Sequence, residues 1–311
     1  MRELLITLLL LIICAYLLIA LYLYFNQRSM IYFPHEESFR TSAETIDIES
    51  DGHTLKGWVV NPGRPRAILY FGGNAERIHR NINAFRETFP DYSIYLLNYR
   101  GYGASEGKPT EEGLYLDALA IYDSIKAHHR HISVIGRSLG GSVATWLAAS
   151  RRVEKLILIT PFDSAVRIAQ KIYPYLPMTL LLKDKHDSLS RAAAIDSGVL
   201  MLVAGDDSIV TREHSERLAA GFRPQQIEVV VIAAATHNDI SSHPLFYASM
   251  ARFMKVQAEG KMPCRACREA SPRAMPEGFA PTMQHDAAAE ACSFDAIRRS
   301  GFSAIALLTG I

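Results

Sequence analysis

The chain has 311 residues, of which 49% are hydrophobic and 21% are charged, which suits one sizeable globular domain with extensions. The formal net charge is +1 and the basic residues form no block, so we expect no nucleic-acid partner. No phosphate-binding or dinucleotide-binding glycine pattern occurs, and we expect no cofactor.

The first apolar stretch predicts a membrane anchor. Leu4–Phe25 contains no charged residue and consists mostly of Leu, Ile and Ala. At ~1.5 Å per residue, a helix of this length spans a ~30 Å hydrocarbon core. The run is longer than the apolar part of a signal peptide, and bulky residues end it. We predict a single-pass anchor over residues 1–28, with a cleaved signal peptide as the alternative. The flanking charges leave its orientation open.

The middle of the chain alternates strand-like and helix-like segments. Thr45–Glu49 and Thr54–Val60 flank Asp51-Gly52, which is typical of a hairpin. Buried strands are predicted at Ala67–Phe71, Ile94–Asn98, Ile132–Ile135, Leu156–Thr160, Val199–Ala204 and Ile227–Ile232. Helices are predicted at Ala75–Glu87, Glu111–Ala127, Ser142–Ser150, Arg212–Ala220 and Pro244–Val256. The pattern predicts an α/β domain over residues 29–256, with a mostly parallel eight-stranded sheet covered by helices on both faces.

A G-x-S-x-G sequence at residues 136–140 predicts a nucleophilic serine. A chain that passes from strand to helix within so few residues strains the central residue, and its neighbours two positions away must lack side chains. The hydroxyl of Ser138 would then stand exposed, and the N–H of Leu139 would point at the charge that develops there. Such a motif arises by chance in roughly one chain in ten of this length. The preceding apolar run and the following alanine-rich helix favour the nucleophile.

The glycine-rich end of the third strand predicts the other half of an oxyanion hole. Gly72-Gly73-Asn74 follows Ala67–Phe71, and the two glycines allow the backbone to approach a substrate closely. We expect the N–H of Asn74 to join the N–H of Leu139. The alternative is a tight turn with no further role.

Two later strand ends supply an acid and a base. Asp206 and Asp207 follow Val199–Ala204, where a carboxylate can orient a histidine or simply cap a turn. Among the eleven histidines, His237 alone lies both after these acids and at the end of a strand. The order serine, aspartate, histidine is the order that a sheet of this kind uses.

Taken together, these stretches resemble the α/β-hydrolase superfamily of serine hydrolases, and more narrowly its single-pass, membrane-anchored α/β-hydrolase-domain branch. The resemblance covers about residues 30–256 and is carried by Phe-Gly-Gly-Asn-Ala-Glu at 71–76, Asn-Tyr-Arg-Gly-Tyr-Gly-Ala-Ser-Glu-Gly at 98–107, Gly-Arg-Ser-Leu-Gly-Gly at 136–141, Thr-Pro-Phe-Asp-Ser at 160–164, Gly-Asp-Asp-Ser-Ile-Val at 205–210 and Thr-His-Asn-Asp at 236–239. It implies Ser138 as nucleophile, His237 as base and an orienting acid that precedes x-x-Val, which selects Asp207. Phe71 stands where many relatives carry His, and Thr211 where many carry Pro.

The residues and the resemblance together predict an enzyme that cleaves a carboxylic ester or a thioester of a small-molecule or lipid-like acyl substrate. Amide or peptide hydrolysis by the same triad is the alternative enzyme, and a non-catalytic, membrane-tethered binding module is the alternative from another class. Phe162–Arg191 lies where this fold inserts its lid, and it forms either an apolar cap for an acyl chain or ordinary helix packing.

The last part of the chain changes character. Residues 257–311 carry scattered Pro and Ala, and we expect a disordered tail. Cys264, Cys267, Cys292 and His285 could ligate zinc, but their spacing is irregular, and we expect no metal site.

Overall fold

The computed structural model describes residues 1–36 and 41–255. The C-terminal stretch predicted as a disordered tail, with its cysteines, lies outside the described residues.

Eight strands form one sheet. They are β1 (Glu44–Ser50), β2 (His53–Val60), β3 (Arg66–Phe71), β4 (Tyr92–Leu97), β5 (His131–Arg137), β6 (Lys155–Ile159), β7 (Gly198–Ala204) and β8 (Ile227–Ile232). Their order across the sheet is β1-β2-β4-β3-β5-β6-β7-β8. Strand β2 runs antiparallel to both of its neighbours, β1 and β4, and strands β3 to β8 pair in parallel. The predicted eight-stranded, mostly parallel sheet is confirmed.

The predicted hairpin joins β1 and β2. Ser50 pairs with His53, so the turn has two residues, and both have positive φ: 51° at Asp51 and 74° at Gly52. This backbone matches the right-handed twist of the flanking strands, and Asp-Gly tolerates it well.

Helices cover both faces of the sheet, as predicted. The helices of the described residues are α1 (Arg2–Ile31), α2 (Ile82–Thr88), α3 (Glu111–Ile125), α4 (Leu139–Ser150), α5 (Ala165–Ile172), α6 (Met178–Leu181), α7 (Leu189–Ala192), α8 (Arg212–Ala219) and α9 (Pro244–Lys255). One hydrophobic core lies between the sheet and residues of α3, α4, α5 and α8, and the other lies between the sheet and residues of α2 and α9.

The helix predicted over Ala75–Glu87 is wrong at its start. The backbone of Ala75 is left-handed, with φ of 58°, and only a short 3-10 helix at Ile78–Asn81 precedes α2. The carboxylate of Glu76 turns back to accept the N–H of Gly73. The loop after β3 is therefore held by a side chain and does not begin a helix there.

Helix α1 is long and apolar enough to cross a membrane, by length and composition. Nearly all of its residues up to Tyr22 are exposed, but Leu23, Gln27 and Ile31 are buried against the rest of the protein. The boundary expected at residue 28 thus falls inside a helix that continues to Ile31.

Three short helices, α5 to α7, fill the stretch between β6 and β7. We call residues 162–191 the cap. The cap packs over the carboxyl end of the sheet and against the last turns of α1. This position brings it beside the predicted site.

Candidate active site

Ser138 forms the whole connection between β5 and α4. Strand β5 ends at Arg137 and helix α4 begins at Leu139, so one residue makes the turn. The backbone of Ser138 has φ of 50° and ψ of −112°, a conformation that is costly for a residue with a side chain. Its N–H donates to the carbonyl of Ile159 on β6 at 2.8 Å, which holds the strained turn in place.

Steric contacts require glycine at the two positions on either side of Ser138 in the motif, Gly136 and Gly140. A Cβ on Gly136 would collide with the carbonyl of Gly140 and with the side chain of Ala144. A Cβ on Gly140 would collide with the carbonyl of Phe71, at the end of β3. Strand, helix and the loop after β3 thus approach too closely for any side chain, which is the constraint that the sequence motif predicts.

The predicted nucleophile, base and acid form one hydrogen-bonded line. His237 Nε2 lies 3.0 Å from Ser138 Oγ, and His237 Nδ1 lies 2.7 Å from Asp207 Oδ2. A carboxylate can only accept, so Nδ1 carries the proton and Nε2 is left to accept from the serine hydroxyl. The side chains of His237 and Asp207 are almost fully buried.

The two neighbouring aspartates have different surroundings. The second carboxylate oxygen of Asp207 accepts the N–H groups of Ile209 and Val210, at 2.9 and 2.8 Å, so both of its oxygens are engaged. Asp206 is exposed, and its own N–H donates to the carbonyl of Ala235. The geometry agrees with the choice of Asp207 as the residue beside the histidine.

Both predicted oxyanion-hole residues lie at the serine. Leu139 and Asn74 line one pocket together with Ser138. The N–H of Leu139 is the first of α4, where intrahelical partners are lacking. The side chain of Asn74 has a role that the sequence did not predict, because its Nδ2 donates to the carbonyl of Ile31 at 2.6 Å and its Oδ1 accepts from the N–H of Phe33.

An ion pair links the loop after β3 to the loop that carries His237. Arg137 lies 3.5 Å from Glu76, and its guanidinium also donates to the carbonyls of His237 and Asn238 at 3.1 and 3.2 Å. Burial alone would raise the pKa of the Glu76 carboxyl, but Arg137 and donors such as Asn81 hold that pKa below its ordinary value. Arg137 thus meets a charged partner and fixes the backbone of the histidine loop.

A second serine and histidine pair lies close by, and its histidine, His186, lines the pocket at Ser138. His186 Nδ1 is 2.8 Å from Ser142 Oγ, and the hydroxyl of Ser142 donates to the carbonyl of Leu139. His186 Nε2 is 3.0 Å from the hydroxyl of Tyr32. Burial lowers the pKa of His186 although Glu111 raises it, which favours a neutral ring. His186 thus joins Tyr32, which follows α1, to Ser142 on α4, and the pair ties these elements together.

Sequence reasoning missed Arg137, Glu76 and His186. Arg137 and Glu76 lie 61 residues apart in two different motifs, and nothing in the local sequence shows that they pair. The sequence carries only a faint signal for His186, a histidine within the predicted lid region.

A family model described as the alpha/beta hydrolase fold matches residues 66–198. A protein of Mycobacterium tuberculosis, itself uncharacterized, is 34% identical over 237 residues, which cover 71% of this chain and 84% of that protein. The chain belongs to the α/β-hydrolase family, as its motifs predicted.

Two eukaryotic relatives are similar over comparable lengths of the chain. The alpha/beta hydrolase domain-containing protein WAV2 of Arabidopsis thaliana is 28% identical, with 68% of this chain and 78% of that protein covered. An uncharacterized membrane protein of Saccharomyces cerevisiae is 27% identical, with 70% and 84% covered.

Solved structures share the fold at low identity. The Pyrococcus furiosus esterase Pf2001 has a TM-score of 0.60 at 18% identity, with 72% of this chain and 98% of that chain covered. Est1E from Butyrivibrio proteoclasticus has a TM-score of 0.57 at 19% identity, with 68% and 98% covered.

Proposed function

We propose that the protein is a serine hydrolase that cleaves carboxylic esters or thioesters through an acyl-enzyme intermediate. The observation that carries the proposal is the line of hydrogen bonds from the buried Asp207 through the buried His237 to the half-buried Ser138, with distances of 2.7 and 3.0 Å. The chain also belongs to a hydrolase family and has esterases among its structural neighbours.

In the first half of the reaction, Ser138 Oγ attacks the acyl carbon while His237 Nε2 takes the hydroxyl proton. Asp207 fixes the tautomer and stabilises the imidazolium that forms. The negative charge on the carbonyl oxygen is met by the N–H groups of Leu139 and Asn74. His237 then returns the proton to the departing alcohol or thiol, and the acyl group remains on Ser138.

In the second half, water replaces the leaving group. His237 takes a proton from the water as it attacks the acyl carbon, and the tetrahedral intermediate collapses with release of the acid. The proton returns to Ser138 Oγ, so the enzyme is regenerated unchanged. The pocket at Ser138 is lined by the apolar side chains of Phe162, Ile168 and Val210, which favours an acyl group over a charged substrate.

The choice between ester and amide is tested with matched butyryl compounds on the full-length protein in detergent. We expect kcat/KM for the p-nitrophenyl ester and the thiocholine thioester to exceed that for the p-nitroanilide by about a hundred-fold or more. Comparable rates on the anilide would favour the amide hydrolase. No turnover of any of the three would support the non-catalytic binding module.

Arg137 is expected to act as a positioning residue. Replacing it in Arg137→Met removes the donors that hold the carbonyls of His237 and Asn238, so the imidazole loses its alignment with Ser138. Because a shift of about 1 Å can cost a hundred-fold in rate, we expect kcat to fall by about ten-fold to a hundred-fold with KM nearly unchanged.

The matched control is Arg151→Met. Arg151 also pairs with an aspartate, Asp123, but it lies away from the pocket. It should keep kcat within about two-fold of wild type, because exposed ion pairs contribute little. If Arg137→Met retained full kcat while folded, Arg137 would have no positioning role.

We further propose that α1 crosses a membrane once. The full-length protein should stay with membranes after carbonate extraction, whereas a chain lacking residues 2–19, which keeps the buried end of α1, should be released. Recovery of full-length protein in the soluble fraction, or of a form cleaved near residue 25, would refute the anchor.

A further inference from the structure

The last turns of α1 form one wall of an apolar cavity under the cap. Leu23, Gln27, Met30 and Ile31 line it from α1, and their spacing places them on one face of the helix. From Leu23 to Ile31 this face is about 12 Å long.

The opposite wall comes from the cap. Ala169 and Ile172 on α5 and Leu181 on α6 face the same cavity. The amide of Gln27 leaves the cavity apolar because both of its polar atoms are paired. Its Nε2 donates to the carbonyl of Leu181 at 3.0 Å, and its Oε1 accepts the N–H of Lys183 at 2.6 Å.

This cavity adjoins the pocket at Ser138. Ile31 lines both, and α5 continues from one to the other: Ala165 and Ile168 face the pocket of Ser138, whereas Ala169 and Ile172 face the cavity. These α5 positions follow one stripe at helical spacing. An acyl group on Ser138 therefore has an apolar path along α1, and the ~12 Å length of this path matches an extended chain of roughly ten carbons.

If α1 crosses a membrane as proposed, the far end of the path lies at membrane depth. The hydroxyl of Tyr16 donates to the carbonyl of Tyr175 in the cap at 3.0 Å. Tyr16 precedes Leu23 by seven residues, or about 10 Å along the helix. The cap side chains of Tyr175 and Leu180 are 89% and 80% exposed, as an element that enters the lipid leaflet requires.

Polar contacts fix the cap to α1 where the helix leaves the apolar region. Arg28 makes a bidentate ion pair with Asp184, at 3.1 and 3.3 Å, and Arg28 is the first charged residue after Glu3. The ammonium of Lys183 lies 4.1 Å from the ring centre of Tyr24. These contacts hold the cap against the last turns of α1.

We propose that α1 and the cap together form the acyl-binding site, and that this site receives the long acyl chain of a lipid-like ester or thioester directly from the bilayer. The anchor is then part of the substrate site as well as a tether. This inference rests on the proposed hydrolase function, and its test separates the two.

The first test uses the full-length protein in phosphatidylcholine nanodiscs and compares kcat/KM for p-nitrophenyl decanoate with that for p-nitrophenyl acetate. Ile172→Trp fills the cavity, so the ratio of decanoate to acetate should fall by about ten-fold or more. The control Lys171→Trp adds the same side chain at the exposed neighbouring position and should leave the ratio within about two-fold of wild type. An unchanged ratio in Ile172→Trp would overturn the proposal.

The second test does not depend on turnover. Ser138→Ala protein in the same nanodiscs is irradiated with a fatty acid that carries a terminal diazirine. Adducts should map to Leu23 or Leu181 and decline in Ile172→Trp. Adducts confined to residues 4–22 would overturn the acyl site. Adducts at Leu23 without any ester hydrolysis by wild type would refute the hydrolase function and leave the binding site standing.

Discussion

Ser138→Ala and His237→Ala should each lower kcat for a p-nitrophenyl ester by about four orders of magnitude or more. A serine hydroxyl is a weak nucleophile at neutral pH and needs an adjacent base. Nε2 of His237, 3.0 Å from the hydroxyl, is the group in position to take the proton. Steady-state rates of the two single variants and the double variant measure the effect.

The double variant should be at most about ten-fold slower than either single variant, because the effects of residues that act as a unit are not additive. Melting temperatures should stay within about 4 °C of wild type, which separates lost chemistry from lost folding. If His237→Ala kept most of the esterase activity, the assignment of the triad would be wrong.

Asp207→Asn should lower kcat by about a thousand-fold, less than the loss of the serine or the histidine. An amide can still accept the N–H groups of Ile209 and Val210, so the turn should keep its shape. An amide nitrogen that faces His237 Nδ1 would, however, favour the other tautomer. Nε2 would then carry the proton and could not accept one from Ser138.

Asp206→Asn is the matched control. It makes the same change one residue earlier, at an exposed side chain, and the N–H of Asp206 that donates to Ala235 is untouched. We expect kcat within about two-fold of wild type. If Asp206→Asn proved the more damaging of the two, the acid would be assigned to the wrong aspartate.

The sequence allowed prediction of features that local chemistry dictates. Asp51-Gly52 predicts a two-residue turn because Gly and Asp tolerate positive φ, and the structure has that turn. Gly136 and Gly140 predict the close approach of β5 and α4. In the structure, a side chain at either position would collide with neighbouring atoms. Short apolar runs predict the parallel strands, whose carboxyl ends bring Ser138, Asp207 and His237 to one edge.

The contacts that the sequence did not reveal join distant parts of the chain. Tyr16 meets Tyr175 across 159 residues, and Gln27 meets Leu181 across 154. The apolar run of α1 predicts a helix in lipid, and no periodicity along it marks the face that meets the cap. The predicted helix start at Ala75 is wrong because the side chain of Glu76 folds back and accepts the N–H of Gly73. Helix propensities do not describe an interaction of this kind.

Labelling with a fluorophosphonate, followed by peptide mass spectrometry, tests the central proposal most directly. The reagent forms a stable bond with a serine that an adjacent base has activated. We predict one adduct, on Ser138, that is lost in His237→Ala and persists in Asp206→Asn. Absence of an adduct on Ser138 in folded wild-type protein, or labelling of Ser142 in its place, would contradict the account.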